Sequence, residues 1–195
     1  MRIHPLIAIP TDSERVFLDE ARRQLAAQSE AIHRDLRQLD DEEVVRRFAE
    51  ESSSIARLVL NLCGELDHKI VSVVGGLSGR WDRPDESAAR GLISRDALLA
   101  RLDAAVERAD AILAVITPDR LREARRYPDP GRMIEGTVLT VIFQTLVDLA
   151  GHTQEIALLT WLQLGDRSRF ESSALTLSPA TTSRSRSGPG VAEGV

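Results

Sequence analysis

The 195-residue sequence is poor in the residues that mark stapled, membrane-spanning or nucleic-acid-binding chains. Cys63 is its only cysteine, so no intrachain disulfide can form, and the expected location is a reducing compartment, the cytoplasm. No run of about 18 uninterrupted apolar residues is present, so no membrane span is expected. The opening stretch MRIHPLIAIP is too short and too broken, by Pro5 and Pro10, to read as a signal peptide. Aromatics make up only 4% of the chain, and Lys69 is the only lysine among 25 basic residues. That imbalance reads as the codon bias of a GC-rich genome rather than as chemistry. A net charge of −5 gives no strong pull toward nucleic acid or an anionic membrane, so neither is an expected partner. A phosphate-cradling glycine loop is also missing, because Gly75, Gly76 and Gly79 follow a helical pattern rather than a strand.

What remains is an ordinary globular composition, 43% apolar and 28% charged, dominated by Ala, Leu, Glu and Arg. That mixture favours helix over sheet. Leu18, Ala21, Leu25, Ile32, Leu36 and Leu39 recur at helical spacing and predict a first helix over about 12–38. Thr11 and Glu14 have capping-box spacing at its start. Asp40-Asp41-Glu42-Glu43 reads as a short helical turn. A second long helix leaves the Ser52-Ser53-Ser54 cluster with Ile55, Leu58, Val59, Leu62, Leu66, Ile70 and Val73 as its apolar stripe. It stops at Gly75-Gly76. The third begins near Ser94 and runs through Leu98, Leu102, Ala105, Val106, Ala109, Ile112, Leu113 and Ile116 to the breaker Thr117-Pro118-Asp119. The fourth spans roughly 134–164, with Val138, Val141, Ile142, Thr145, Leu149, His152, Ile156 and Leu159 on one face and Gly165 at its end.

Between the second and third helices, residues 77–91 are polar and aperiodic and read as a long loop. Residues 117–133 read as irregular. After Phe170 the chain turns to Ser, Thr, Pro and Gly and cannot bury a core, so 171–195 is expected to be disordered. Its short Ser-Arg alternation reads as a solvated tail. The expected organisation is an N-terminal arm over 1–11, a helical bundle domain over 12–170 and the tail. Four amphipathic helices without a strand pattern make an all-α four-helix bundle.

Two polar columns flank the apolar stripes. Asn61, Glu65 and His68 lie on one shoulder of the second helix. On the fourth, Asp148 and His152 lie on a shoulder and Gln144 just outside it. Facing helices of a bundle build metal sites from such columns, although carboxylates and amides at stripe edges are also ordinary solvated flanks. Cys63 points away from the Asn61 column and reads as a small packed hydrophobe. His33 and His68 read as spare histidines, with His68 either a substitute donor at the end of its column or, more readily, a surface residue, and His4 reads as an idle residue of the N-terminal arm. Trp161 is expected to pack on the bundle or a partner, and Trp81 either to shut the pocket mouth or simply to dock with its loop.

The segments SIARLVLNLCGELDHKIVSVVGG, DRPDE, SRDALLARL and FQTLVDLAGHTQEIALLTWL, in that order, resemble the DinB-like four-helix bundles, and a branch of them of unknown function in particular. The resemblance covers about 12–170 and implies that fold. It also implies a divalent metal held by three histidines, one on the second helix and two, i and i+4, on the fourth. By position those ligands fall on Asn61, Asp148 and His152, and members of the branch often carry a fourth histidine where Gln144 stands. Only His152 keeps the family residue. An amide oxygen is a poor donor for zinc or nickel, and losing first-shell imidazoles costs at least the roughly 10–100-fold that a lost outer partner costs.

The expectation is therefore a DinB-like protein with an altered site, no cofactor, and a role in binding a small molecule or a protein. The alternative is a divergent transferase or hydrolase with one divalent ion (Zn, Ni, Mn or Fe) on Asp148 and His152 with Asn61 or Glu65. Some relatives implied by the resemblance use low-molecular-weight thiols in this way. A third reading is a homodimer that pairs through the off-stripe residues Leu60, Val71, Leu158 and Trp161.

Overall fold

The computed structural model describes residues 13–49, 52–77, 93–129 and 132–165. The N-terminal arm with Thr11, the loop with Trp81, and the tail lie outside the described residues. The described residues up to Gln163 fall in one unit. It is mainly helical: α1 is Ser13–Leu36, α2 Asp41–Val45, α3 Ile55–Glu65, α4 Arg95–Val115 and α5 Val138–Leu164. Among the described residues no helix is long and apolar enough to cross a membrane.

The capping residues sit where the sequence puts them. Asp40 and Glu43 form a reciprocal capping box around α2, while Ser54 and Ser94 accept from the backbone N–H groups of Arg57 and Ala97 at the starts of α3 and α4. Each cap satisfies a backbone donor that the first turn leaves without an intrahelical partner. Leu18, Leu25, Ile32 and Leu36 of α1 are buried with Leu98, Leu102, Ala105 and Ala109 of α4, and these two helices pack together. Arg22 grips Asp110 with two hydrogen bonds of 2.7 and 2.8 Å, and His33 meets Asp103 at 2.6 Å, so α1 and α4 are also tied along their polar edge. His33 is thus an interhelical contact rather than a spare histidine. Leu60, expected off the core, is 4% exposed within it and supplies no dimer surface.

Two features depart from the helical periodicity. First, α3 does not run on as an α-helix. Leu66–Val74 is a π segment, in which the wider turn bonds each N–H to the carbonyl five residues back. The Gly75 N–H reaches the Ile70 oxygen at 2.9 Å in this way. The segment is held from outside. Arg108 of α4 pairs with Asp67 through two bonds of 2.9 and 2.8 Å, and Arg120 and Arg125 donate to the Val74 and Val73 carbonyls at its end.

Second, the stretch read as irregular, and the presumed first turn of the last helix, form an antiparallel hairpin: β1 is Ala124–Asp129 and β2 Arg132–Thr137. A helix cannot start at 134, because these residues alternate across a two-stranded ladder with Tyr127 opposite Ile134. Thr137 then caps α5, its hydroxyl oxygen accepting from the Thr140 N–H. The hairpin leans on the π segment, where His68 Nε2 lies 2.9 Å from the Pro128 carbonyl oxygen and its ring meets Tyr127 edge-on.

Along α5 the core face is Val138, Val141, Ile142, Leu149 and Ile156, interleaved with the buried threonines 145, 153 and 160. Thr145 and Thr153 donate their hydroxyls to the carbonyls of Val141 and Leu149 at 2.8 Å, so these polar groups are satisfied inside the helix. At its far end Gln163 donates to the Glu43 carbonyl and accepts from Arg46, which fastens α5 to α2.

Candidate functional site

The polar shoulders of α3 and α5 do meet, and the group that joins them is Lys69. Its ammonium lies 2.7 Å from Asp148 Oδ2 and 3.6 Å from Glu65 Oε2. Lys69 is 8% exposed. The first contact is a charge-assisted hydrogen bond across the helix seam; the second is a charge contact too long for one. His152 extends the cluster, with Nε2 3.9 Å from Glu65 Oε1 and Nδ1 3.5 Å from Glu155 Oε2.

The π segment explains why Lys69 occupies this place. On a regular helix the Asn61–Glu65 column continues at residue 68. The wider π turn takes more residues per revolution, so the next position facing α5 is 69. His68 rotates off the column and turns to the hairpin, so the expected Asn61–Glu65–His68 column is replaced by Glu65–Lys69. The lone lysine, read as a codon effect, is the central charge of the seam. Its uniqueness was the signal available in the sequence.

Among the other expected positions, Asn61 is half-buried and Gln144 exposed, and no described hydrogen bond joins either to the cluster. Cys63 is buried in α3, and burial foremost, with the nearby Asp67 carboxylate, pushes its thiol up to about 12, which suits a packing role and opposes nucleophilic use.

A divalent ion on Asp148 Oδ2 at about 2.0–2.2 Å would share that oxygen with the Lys69 ammonium, and two cations would then crowd one carboxylate. Among the described residues no group of three or more His, Cys, Asp or Glu is arranged to hold a metal. Lys69 itself is no ready nucleophile, because an ammonium donating to a carboxylate has no free lone pair. The seam carries the carboxylates of Glu65, Asp148 and Glu155 against one ammonium and one imidazole. Glu65 Oε2 is buried and accepts no hydrogen bond among the described residues.

No family model matches the chain, and no curated protein matches it either. A solved structure described as the conserved protein of locus from Enterococcus faecalis is similar in fold, with a TM-score of 0.60 and 17% identity. The match covers 75% of this chain and 96% of that one.

Proposed function

We propose that this chain is a binding module built on a DinB-like frame, in which Lys69 supplies the positive charge of the α3–α5 seam and no metal ion is resident. The observation that carries this reading is the 2.7 Å contact between Lys69 and Asp148. It engages the one carboxylate among the ligand positions that the DinB resemblance implies. Asn61 at the second such position is a weak donor, which leaves His152 alone.

The seam then serves recognition. Asp148 and Glu155 are half-exposed at its edge, and Glu65 offers a buried oxygen that accepts no donor among the described residues. A ligand with an apolar body and a hydrogen-bond-donating head suits these groups, whether a small molecule or a segment of a protein.

Elemental analysis of protein purified without chelators or an affinity tag tests the reading. Zinc, nickel, manganese and iron should all be far below one per chain. Stoichiometric metal that disappears in His152→Ala would defeat the proposal and favour the reading of a divergent metal-dependent transferase or hydrolase instead. A thermal-shift screen of amine-bearing and neutral apolar compounds then tests recognition. Hits should lose their stabilising effect in Asp148→Asn.

A further inference from the structure

The side of α5 that faces away from the core carries no charge and is largely apolar, with Gln154 within it and Gln144 at its edge. Leu139, Phe143, Val147, Leu158, Trp161 and Leu162 are each 40–57% exposed. At about 100° per residue they fall within an arc of roughly 140°, opposite the core face. The only Asp, Glu, Lys or Arg residues of the helix are Asp148 and Glu155, and both belong to the seam cluster on its shoulder. A solvent-facing surface of a soluble helix ordinarily carries charge, so a charge-free stripe of this length marks a contact.

The stripe is also symmetric. Leu139 and Leu162 lie equally far on either side of the Ala150–Gly151 bond, as do Phe143 and Leu158, and Val147 and Gln154. A two-fold contact between antiparallel helices needs this arrangement, because each residue must meet the one mirrored about the crossing point. At the crossing stand the two smallest side chains of the stripe, and a Cβ on Gly151 would meet nothing within 4 Å. Two backbones can therefore approach closely there.

We propose that α5 pairs with α5 of a second copy of this chain, antiparallel and crossing at Ala150–Gly151, with Phe143 of each copy against Leu158 of the other. The area suffices. Half of six large side chains is on the order of 500 Å² per chain, before the small residues between them are counted, against about 800 Å² per partner in a standard interface. A membrane surface is the poorer occupant, because α5 has no lysine or arginine to meet anionic headgroups. The pairing leaves the Lys69 cluster on the adjacent shoulder, so the inference is independent of the proposed function.

Sedimentation equilibrium of the full chain, from low micromolar to near-millimolar concentration, tests it. The mass should approach twice 21.5 kDa. Phe143→Glu or Leu158→Arg alone should weaken the dimer on the order of a thousandfold, because each change occurs twice in a two-fold contact. The double variant should dimerise again, since the new carboxylate and guanidinium face each other across copies at both ends. A chain monomeric throughout the range overturns the proposal. So do single variants that remain dimeric, a double variant that is helical by circular dichroism yet monomeric, or a monomer that sediments with phosphatidylcholine vesicles.

Discussion

Gly75 lies against Ile112: a Cβ at residue 75 would stand 2.9 Å from Ile112 Cδ1 and 2.5 Å from the Val71 carbonyl oxygen. The isoleucine tip can turn aside, but the carbonyl belongs to the π segment and cannot. Gly75→Ala is expected to destabilise the protein by about 1–3 kcal/mol. Adding Ile112→Val should recover only a fraction of that. Urea unfolding of the three proteins decides it, and full recovery in the double variant would place the strain on the side chain alone.

Lys69→Met keeps the aliphatic stem and removes the ammonium. Asp148 is 43% exposed, so water makes up part of the lost contact, while the buried oxygen of Glu65 loses its nearest cation. The expected loss is about 1–2 kcal/mol. Combined with Asp148→Asn, the total should fall short of the sum by about 1 kcal/mol. Strict additivity in chemical denaturation would mean that the pair is energetically idle.

Asp35 is 9% exposed near the C-terminal end of α1, and its Oδ2 accepts no hydrogen bond among the described residues. Burial foremost holds its carboxyl above the ordinary 3.8, against a smaller opposing pull from Arg34. A raised folded-state pKa favours the protonated form in the native protein. Its contribution is present below 3.8 and is lost as pH rises through the folded value. Near neutral pH the ion also faces the negative end of the helix. Asp35→Asn should therefore raise stability at pH 7 by about 0.5–1 kcal/mol. The gain should vanish at pH 3. Thermal melts at the two values check this, and a loss at pH 7 would contradict it.

Cys63 should resist thiol reagents in the native state and react only as the protein opens. Its thiol is raised from 9.0 to about 12, chiefly by burial. The unfolded chain therefore ionises first, and stability should fall as pH rises from about 9 toward 12. Cys63→Ala should lose that part of the alkaline dependence at a cost of about 1 kcal/mol at neutral pH. Rapid labelling at a rate independent of urea would show that the thiol is accessible.

The four long helices were legible because each carries a sustained apolar stripe, and two of them, α3 and α4, start at the strong capping residues Ser54 and Ser94, while the Asp40–Glu43 box marks the short α2. The hairpin was less so. Pro128, Pro130 and Gly131 suggested only irregularity, although two short runs flank them in the sequence. The π segment was hidden, because a wheel drawn at 100° per residue assumes the bonding pattern that Leu66–Val74 abandons. One altered turn exchanged His68 for Lys69 in the seam. Asp148 and His152 were found by spacing, whereas the charge between the helices was visible only as a rarity in the composition.

Because the chain has one lysine and it lies inside the seam, amine chemistry on side chains addresses a single interior point, distinct from the α-amino group. Acylating reagents, which decorate most proteins all over, have one side-chain target here, shielded while α3 and α5 remain together. The rate at which that amine is modified is a built-in clock for the parting of two helices, readable by mass spectrometry without any engineered probe.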